Sequence, residues 1–359
     1  MTVLRVSAGR AHACALMVDR TVRCWGHGAH GQLGIGALPV TLGAPTPMRV
    51  GSLSVPTPVV GLTDVVQIAC GGDHSCALRG NGTVACWGSN VHGELGDGTT
   101  TSGMSPVPVP GLTGVTQIAL GESHSCARTA AGSVSCWGSN KFGQLGDDTT
   151  DDRHAPSPVG GVTAVASVAL GMNHTCVVEG GATRCWGSNS DGQLGDGTTE
   201  MRLSPTQVIG LTDVVQLALG DHHSCARLED GTARCWGCGE WGQVGDGTKL
   251  SRLQPQVVSG LSGAIDLAAR NELTVASRHD GVVVMWGRVP FGTLRDELGR
   301  NVPHDWVTVP SPLGDYANVV EVALGHSFGC ARDIHGKMRC FGDNEFGQYG
   351  NGTFVTPSW

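Results

Sequence analysis

Apolar and polar residues alternate in short runs along the whole chain, and the runs come in groups of three. Val66-Gln67-Ile68-Ala69, Ser75-Cys76-Ala77-Leu78 and Thr83-Val84-Ala85-Cys86-Trp87 each place apolar side chains at every second position and stop at glycine or a polar cluster. That period and punctuation predict half-buried strands. Between the second and third runs lies Arg79-Gly80-Asn81-Gly82. Its glycines accept positive φ and its asparagine favours a tight reversal, so an antiparallel hairpin is predicted. With Cys76 opposite Cys86, His74 falls opposite Gly88 and Ser75 opposite Trp87. Side chains alternate along a strand, so His74, Cys76, Cys86 and Gly88 share one face while Ser75 and Trp87 share the other.

The stretch recurs. His12, His74, His124, His174 and His223 mark five copies, and Leu273 and Phe328 hold the same place in two more, at successive spacings of 62, 50, 50, 49, 50 and 55 residues. Seven units of about 50 residues fill residues 1–359 and leave no unclaimed block, so a single domain is expected in place of the two or three that length alone suggests. The first interval is wider by about 12 residues, and Leu42 to Pro58 reads as a loop inserted at a rim. Linkers such as Ser105-Pro106-Val107-Pro108-Val109 and Ser204-Pro205-Thr206-Gln207-Val208 put proline in a β-prone run, which suits an edge strand. No heptads and no apolar run near the ~18 residues of a membrane helix interrupt this pattern, so an all-β chain without membrane insertion is expected.

The Gly-x-x-His-Ser turn, the glycine-turned hairpin, Trp-Gly, and the tail Gly-Gln-Leu-Gly-Asp-Gly-Thr together resemble the regulator of chromosome condensation repeat over essentially the whole chain. The resemblance implies a seven-bladed β-propeller. Four short strands per unit and seven units around a ring agree with that architecture, which leaves no long exposed edge. Unit 6 is divergent. It has Arg270-Asn271-Glu272-Leu273 for the turn, Met285-Trp286-Gly287 for Cys-Trp-Gly, and Phe291-Gly292-Thr293-Leu294 for the tail, followed by a charged and aromatic stretch to Trp306 without repeat character.

Composition adds constraints on compartment and partner. The chain has 56 glycines, which recur at fixed turn offsets instead of marking low complexity, and a net charge of −8 with three lysines and no basic run. Nucleic-acid binding is therefore not expected. Of 14 cysteines, twelve pair within units as Cys14/Cys24, Cys76/Cys86, Cys126/Cys136, Cys176/Cys185, Cys225/Cys235 and Cys330/Cys340. Unit 6 has lost both members together, with Val275 and Met285 in their places, as a bonded pair would. Zinc is the weaker reading, because two Cys and one His per unit would have to converge without a short CxxC spacing. Six disulfides, with Cys70 and Cys238 left free, imply an oxidising extracellular or periplasmic compartment, and the family's disulfide-bearing secreted bacterial members show the same departure from the eukaryotic pattern. Residues 1–10 already belong to the first unit, so no cleavable leader is expected within this chain.

The resemblance also implies a partner-contacting face where the Gly-x-x-His turns gather, at His12, Asp73, His74, Glu122, His124, His174, Asp221 and His223. The alternative is that each histidine fixes its own turn. Phe291, Arg295 and Trp306 of the unit-6 segment are further candidate contacts, since loops on rigid scaffolds carry recognition. A metal at the histidine ring is not expected, because one ligand per blade presets no geometry. Asp97, Asp196 and Asp246 read as turn formers before calcium ligands. Gly325-His326-Ser327-Phe328-Gly329 and Cys235-Trp-Gly-Cys238 match the nucleophile-elbow and CxxC patterns without the helix contexts these need. No catalytic cluster and no cofactor are therefore assigned. The expected function is a secreted, non-catalytic, monomeric protein-binding propeller with a basic protein partner. The alternatives are an exchange factor for a small GTPase, which would work in a reducing cytosol, and an enzyme with a site in the central channel.

Overall fold

The computed structural model describes residues 2–36, 51–289, 306–314 and 316–354. Every regular element among them is a β-strand, and the strands form seven antiparallel sheets in which chain order is also spatial order. The inner strands are Val3–Ala8, Val65–Cys70, Val115–Leu120, Val165–Leu170, Val214–Leu219, Ala264–Arg270 and Val319–Leu324. Each touches the next and the last touches the first, which closes a seven-bladed propeller. No helix among the described residues is long and apolar enough to cross a membrane.

In blade 2 the strands His74–Arg79 and Val84–Gly88 pair with His74 opposite Gly88, Ser75 opposite Trp87 and Cys76 opposite Cys86, as the spacing predicts. The outer strands, such as Gly103–Pro108 and Arg202–Gln207, carry the prolines, where a missing N–H costs no ladder bond. Leu53–Pro58 is the ordinary outer strand of blade 1, so the last part of the expected rim insertion belongs to the sheet. Blade 6 is a complete four-stranded sheet despite its sequence, and blade 7 has three strands among the described residues.

All six expected disulfides are present, with Cα–Cα distances of 4.0–4.1 Å, and Cys70 and Cys238 are free and buried. The pairs are not equivalent, however, as a strict repeat would make them. Cys340 is only half-buried, whereas its partner Cys330 and the other bonded cysteines are 0% exposed. The reason is its place in the sheet: Cys340 lies on Met338–Gly342, the last of the three described strands of blade 7, whereas the matching cysteines of blades 1 to 5 are covered by a fourth strand. The Cys330–Cys340 bond should therefore be the first of the six to yield to a soluble reductant, as read by mass mapping of alkylated thiols; finding it the last would contradict this ordering. Thiol titration of the denatured, unreduced protein should count two thiols per chain. A count near fourteen would contradict the pairing.

The blades are joined by a repeated seam. Trp87 packs among Cys14 and Cys24 of the preceding blade, and Trp137, Trp186, Trp236, Trp286 and Trp25 take equivalent places. Indole N–H groups of Trp25, Trp87, Trp137, Trp186 and Trp236 donate to the carbonyls of Gln348, Gln32, Glu94, Gln144 and Gln193 in the preceding tail. Blade 6 lacks the cysteines and its sequence lacks the Gly-Gln-Leu-Gly tail, and the aromatic that meets it is Phe341, packed among Val275 and Met285. Phenylalanine has no donor to satisfy, so these departures compensate one another.

Candidate functional site

The Gly-x-x-His turns link inner and second strands at one end of the ring. The histidines do not form a surface there. His12, His74, His124, His174 and His223 are 0% exposed. Each Nε2 lies 2.8–3.0 Å from a hydroxyl of the next blade, on Ser75, Ser125, Thr175, Ser224 and Thr274 respectively. Those hydroxyls donate to the carbonyls of Gln32, Glu94, Gln144, Gln193 and Gln243, so each Nε2 bears the proton and donates. Burial, reinforced by neighbouring cationic groups, pushes His12 down to about 3 and keeps it neutral; burial likewise takes His74 to about 4. The expectation that these five rings contact a partner is corrected: they lock blade to blade, because a ring without solvent access must find its hydrogen bond inside.

The two junctions without histidine confirm the pairing logic. Leu273 of blade 6 is followed in blade 7 by Gly329 at the hydroxyl position, and Phe328 of blade 7 by Ala13 in blade 1. Donor and acceptor are absent together, which avoids the ~1–3 kcal/mol of a buried unpaired group.

The three acidic candidates are also engaged internally. Glu122 of blade 3 binds Arg270 of blade 6 at 2.5 Å, and its other oxygen takes Arg10 of blade 1, whose Nε is 2.8 Å away. Three non-adjacent blades thus meet across the middle of the ring. Burial opposes ionisation of Glu122, but Arg270 and Arg10 outweigh it and hold the carboxyl below its usual value. Asp73 accepts from Gln32 at 3.0 Å with His27 at 4.0 Å, and Asp221 accepts the backbone N–H of Asn271 at 3.0 Å. Arg10 and Arg270 were not among the sequence candidates. Arg270 had a legible signal, since the other six turns open with Gly9, Gly71, Gly121, Gly171, Gly220 and Gly325.

Farther out at this end, aromatic and cationic side chains gather where blade 5 meets blade 6. Lys249 Nζ sits 3.8 Å above the Trp306 ring and 5.6 Å from that of Trp241, and the Arg288 guanidinium lies 4.7 Å from Trp241. Arg288 and Trp306 are cross-strand partners, and Glu272 stands 3.8 Å from Arg288. Lys249 and Arg288 are exposed. Phe291 and Arg295 lie outside the described residues.

The weaker motifs resolve into structural roles. Asp196 accepts from the Thr198 N–H and hydroxyl and pairs with Arg202, and Asp246 does the same with Thr248 and Arg252. Ser327 occupies a turn between strands, with Asp343 at 3.5 Å, and Cys235 is bonded to Cys225.

The family description "RCC1-like domain" matches residues 1–212, and "Regulator of chromosome condensation (RCC1) repeat" matches 214–243, 230–276 and 319–348. Protein pim1 of Schizosaccharomyces pombe is 39% identical over 98 residues, 27% of this chain and 18% of that protein. The human probable E3 ubiquitin-protein ligase HERC3 is 42% identical over 96 residues, 26% of this chain and 8% of that protein. The chain thus aligns with less than a fifth of either relative's length. Among solved structures, Prp20p of Saccharomyces cerevisiae superposes with a TM-score of 0.78 at 23% identity, covering 99% of this chain and 85% of that one. Human WBSCR16 superposes at 0.80 and 22%, covering 94% and 92%. Identities this low speak for the fold alone.

Proposed function

The chain belongs to the family of RCC1-like domains, and on that premise we propose that it is a non-catalytic protein-binding propeller that engages its partner at the end bearing the Gly-x-x-His turns. The observation that carries the reading is the group formed by Trp241, Lys249, Arg288 and Trp306, because aromatic and arginine side chains beside a break in the repeat are the composition of an interface hot spot. The six disulfides support an extracellular or periplasmic setting. A protein partner is also in keeping with the fold neighbour Prp20, which is described in complex with Kap60 and as binding Gsp1p and histones. That likeness keeps GTPase exchange as a second reading.

With Asp73, Glu122 and Asp221 matched from within, the case for a basic partner rests on the long-range field of a chain with net charge −8. At the contact, Arg288 and Lys249 favour carboxylate, carbonyl or aromatic groups. The test is capture from the native secretome followed by affinity measurement on variants. Trp306→Ala and Arg288→Ala should each weaken a captured partner by about 2 kcal/mol, while Lys141→Ala, on blade 3, should change little. Affinity unchanged by both of the first two would place the contact elsewhere. Acceleration of nucleotide release from a small GTPase would favour the second reading.

A further inference from the structure

In blades 2 to 5 the inner strand presses one side chain against the cysteine pair of the blade before it. Leu120 meets Cys76 and Cys86, Leu170 meets Cys126 and Cys136, and Leu219 meets Cys176 and Cys185. In blade 2 that residue is Cys70, buried as a free thiol among Cys14 and Cys24. The Ser75 hydroxyl, 2.9 Å from His12 Nε2, lies 3.9 Å from the Cys70 sulfur and 4.0 Å from the Cys14 sulfur. Donor atoms of His12, Cys14 and Cys70 fall within 4.8 Å of one another, and the Cys24 sulfur is bonded to that of Cys14. Four soft donors therefore meet at this junction, where the leucine-bearing ones offer two cysteines and a histidine.

We propose that the junction of blades 1 and 2 is a redox-gated metal site, in which His12, Cys14, Cys24 and Cys70 bind one zinc-like ion once the Cys14–Cys24 bond is open. A dithiol reductant opens it. Its two thiols surrender two electrons and two protons and close to their own disulfide, and Cys14 and Cys24 become thiols. Metal uptake then releases one proton from each of the three cysteines. Tetrahedral zinc, with Zn–S about 2.3 Å and Zn–N about 2.0 Å, holds neighbouring donors about 3.5–3.8 Å apart. The spacing of His12, Cys14 and Cys70 closes to that by side-chain movement of about 1 Å, while Cys24 swings away from Cys14 by a similar order. His12 Nε2 donates a hydrogen bond to Ser75 and Nδ1 is buried without a partner, so binding through Nδ1 leaves that bond in place, whereas binding through Nε2 moves the proton to Nδ1 and gives the Ser75 bond up. Thiolate and imidazole donors select zinc, cobalt or copper(I) over calcium or magnesium. In an oxidising compartment the same residues remain a disulfide beside an idle thiol.

The probe is Co²⁺, added to the full chain during reduction by a metal-inert phosphine in the absence of air. One equivalent should bind and show the visible bands of tetrahedral thiolate cobalt, which Zn²⁺ then bleaches. Cys70→Leu installs the residue of the neighbouring blades, so it should fold and yet bind cobalt at least about 100-fold more weakly. A Cys76→Ala/Cys86→Ala variant should bind as the parent does, and unreduced protein should bind none. Absence of the bands, full uptake by Cys70→Leu, or unfolding on reduction despite the metal would each overturn the proposal.

Discussion

Gly71→Ala should destabilise the propeller by about 3–5 kcal/mol in chemical denaturation, far beyond an ordinary glycine-to-alanine change. A Cβ at this position would lie 2.3 Å from Cε1 of His74 and 2.5 Å from the carbonyl oxygen of Gly121. The ring is held in place by Ser125 and the carbonyl belongs to blade 3, so neither yields without moving an interblade seam. Blade 6 shows what relieves the clash, since Arg270 stands at the glycine position where the histidine has become Leu273. His74→Leu should accordingly offset part of the loss, with the two changes less than additive by about 1–2 kcal/mol in a double-mutant cycle. Gly98→Ala is the contrast. Nothing lies within 4 Å of its Cβ and only its φ of +86° is strained, so it should cost about 1 kcal/mol. A loss at Gly71 no larger than at Gly98, or strict additivity with His74→Leu, would refute the account.

Glu122→Ala should cost a further large amount, about 3–5 kcal/mol, because it strands the Arg270 guanidinium, whose side chain is only 8% exposed, without a counter-charge. Arg270→Met should be milder, since Glu122 keeps Arg10 and a long apolar chain fills the space. The same pairing sets an acid dependence. Burial acts against the carboxylate, yet Arg270 and Arg10 carry the folded value below the reference of 4.5. The stabilisation is therefore complete above about pH 4.5 and is lost as pH falls through the lower folded value. Glu122→Gln should flatten that part of the stability profile. An unchanged acid limb would mean that the ion pair contributes nothing across the axis.

Much of this protein was determined by its sequence because the information is local. Strand alternation, the glycine turn and the cross-strand cysteines all act within a hairpin whose bonded cysteines stand 9 or 10 residues apart. Register, disulfides, blade count and the two free thiols could therefore be read without coordinates. The cross-blade partners could not. A histidine repeated in five units is equally consistent with a displayed surface and with an internal lock, and only ring closure, which brings Ser75 to His12 and Ser125 to His74, decides for the lock. Arg270 and Glu122, 148 residues apart, meet because the inner ends of non-adjacent blades converge on one axis. Cys70 reads as a spare thiol until the inner strand of blade 2 is laid against the disulfide of blade 1. Cys340 reads as one more member of a uniform set until the sheet it belongs to leaves it half-covered. The physical reason is common to these cases: hydrogen bonding within a hairpin fixes what lies along a strand, whereas burial and charge pairing depend on how whole sheets and the closed ring cover one another, which no local pattern encodes.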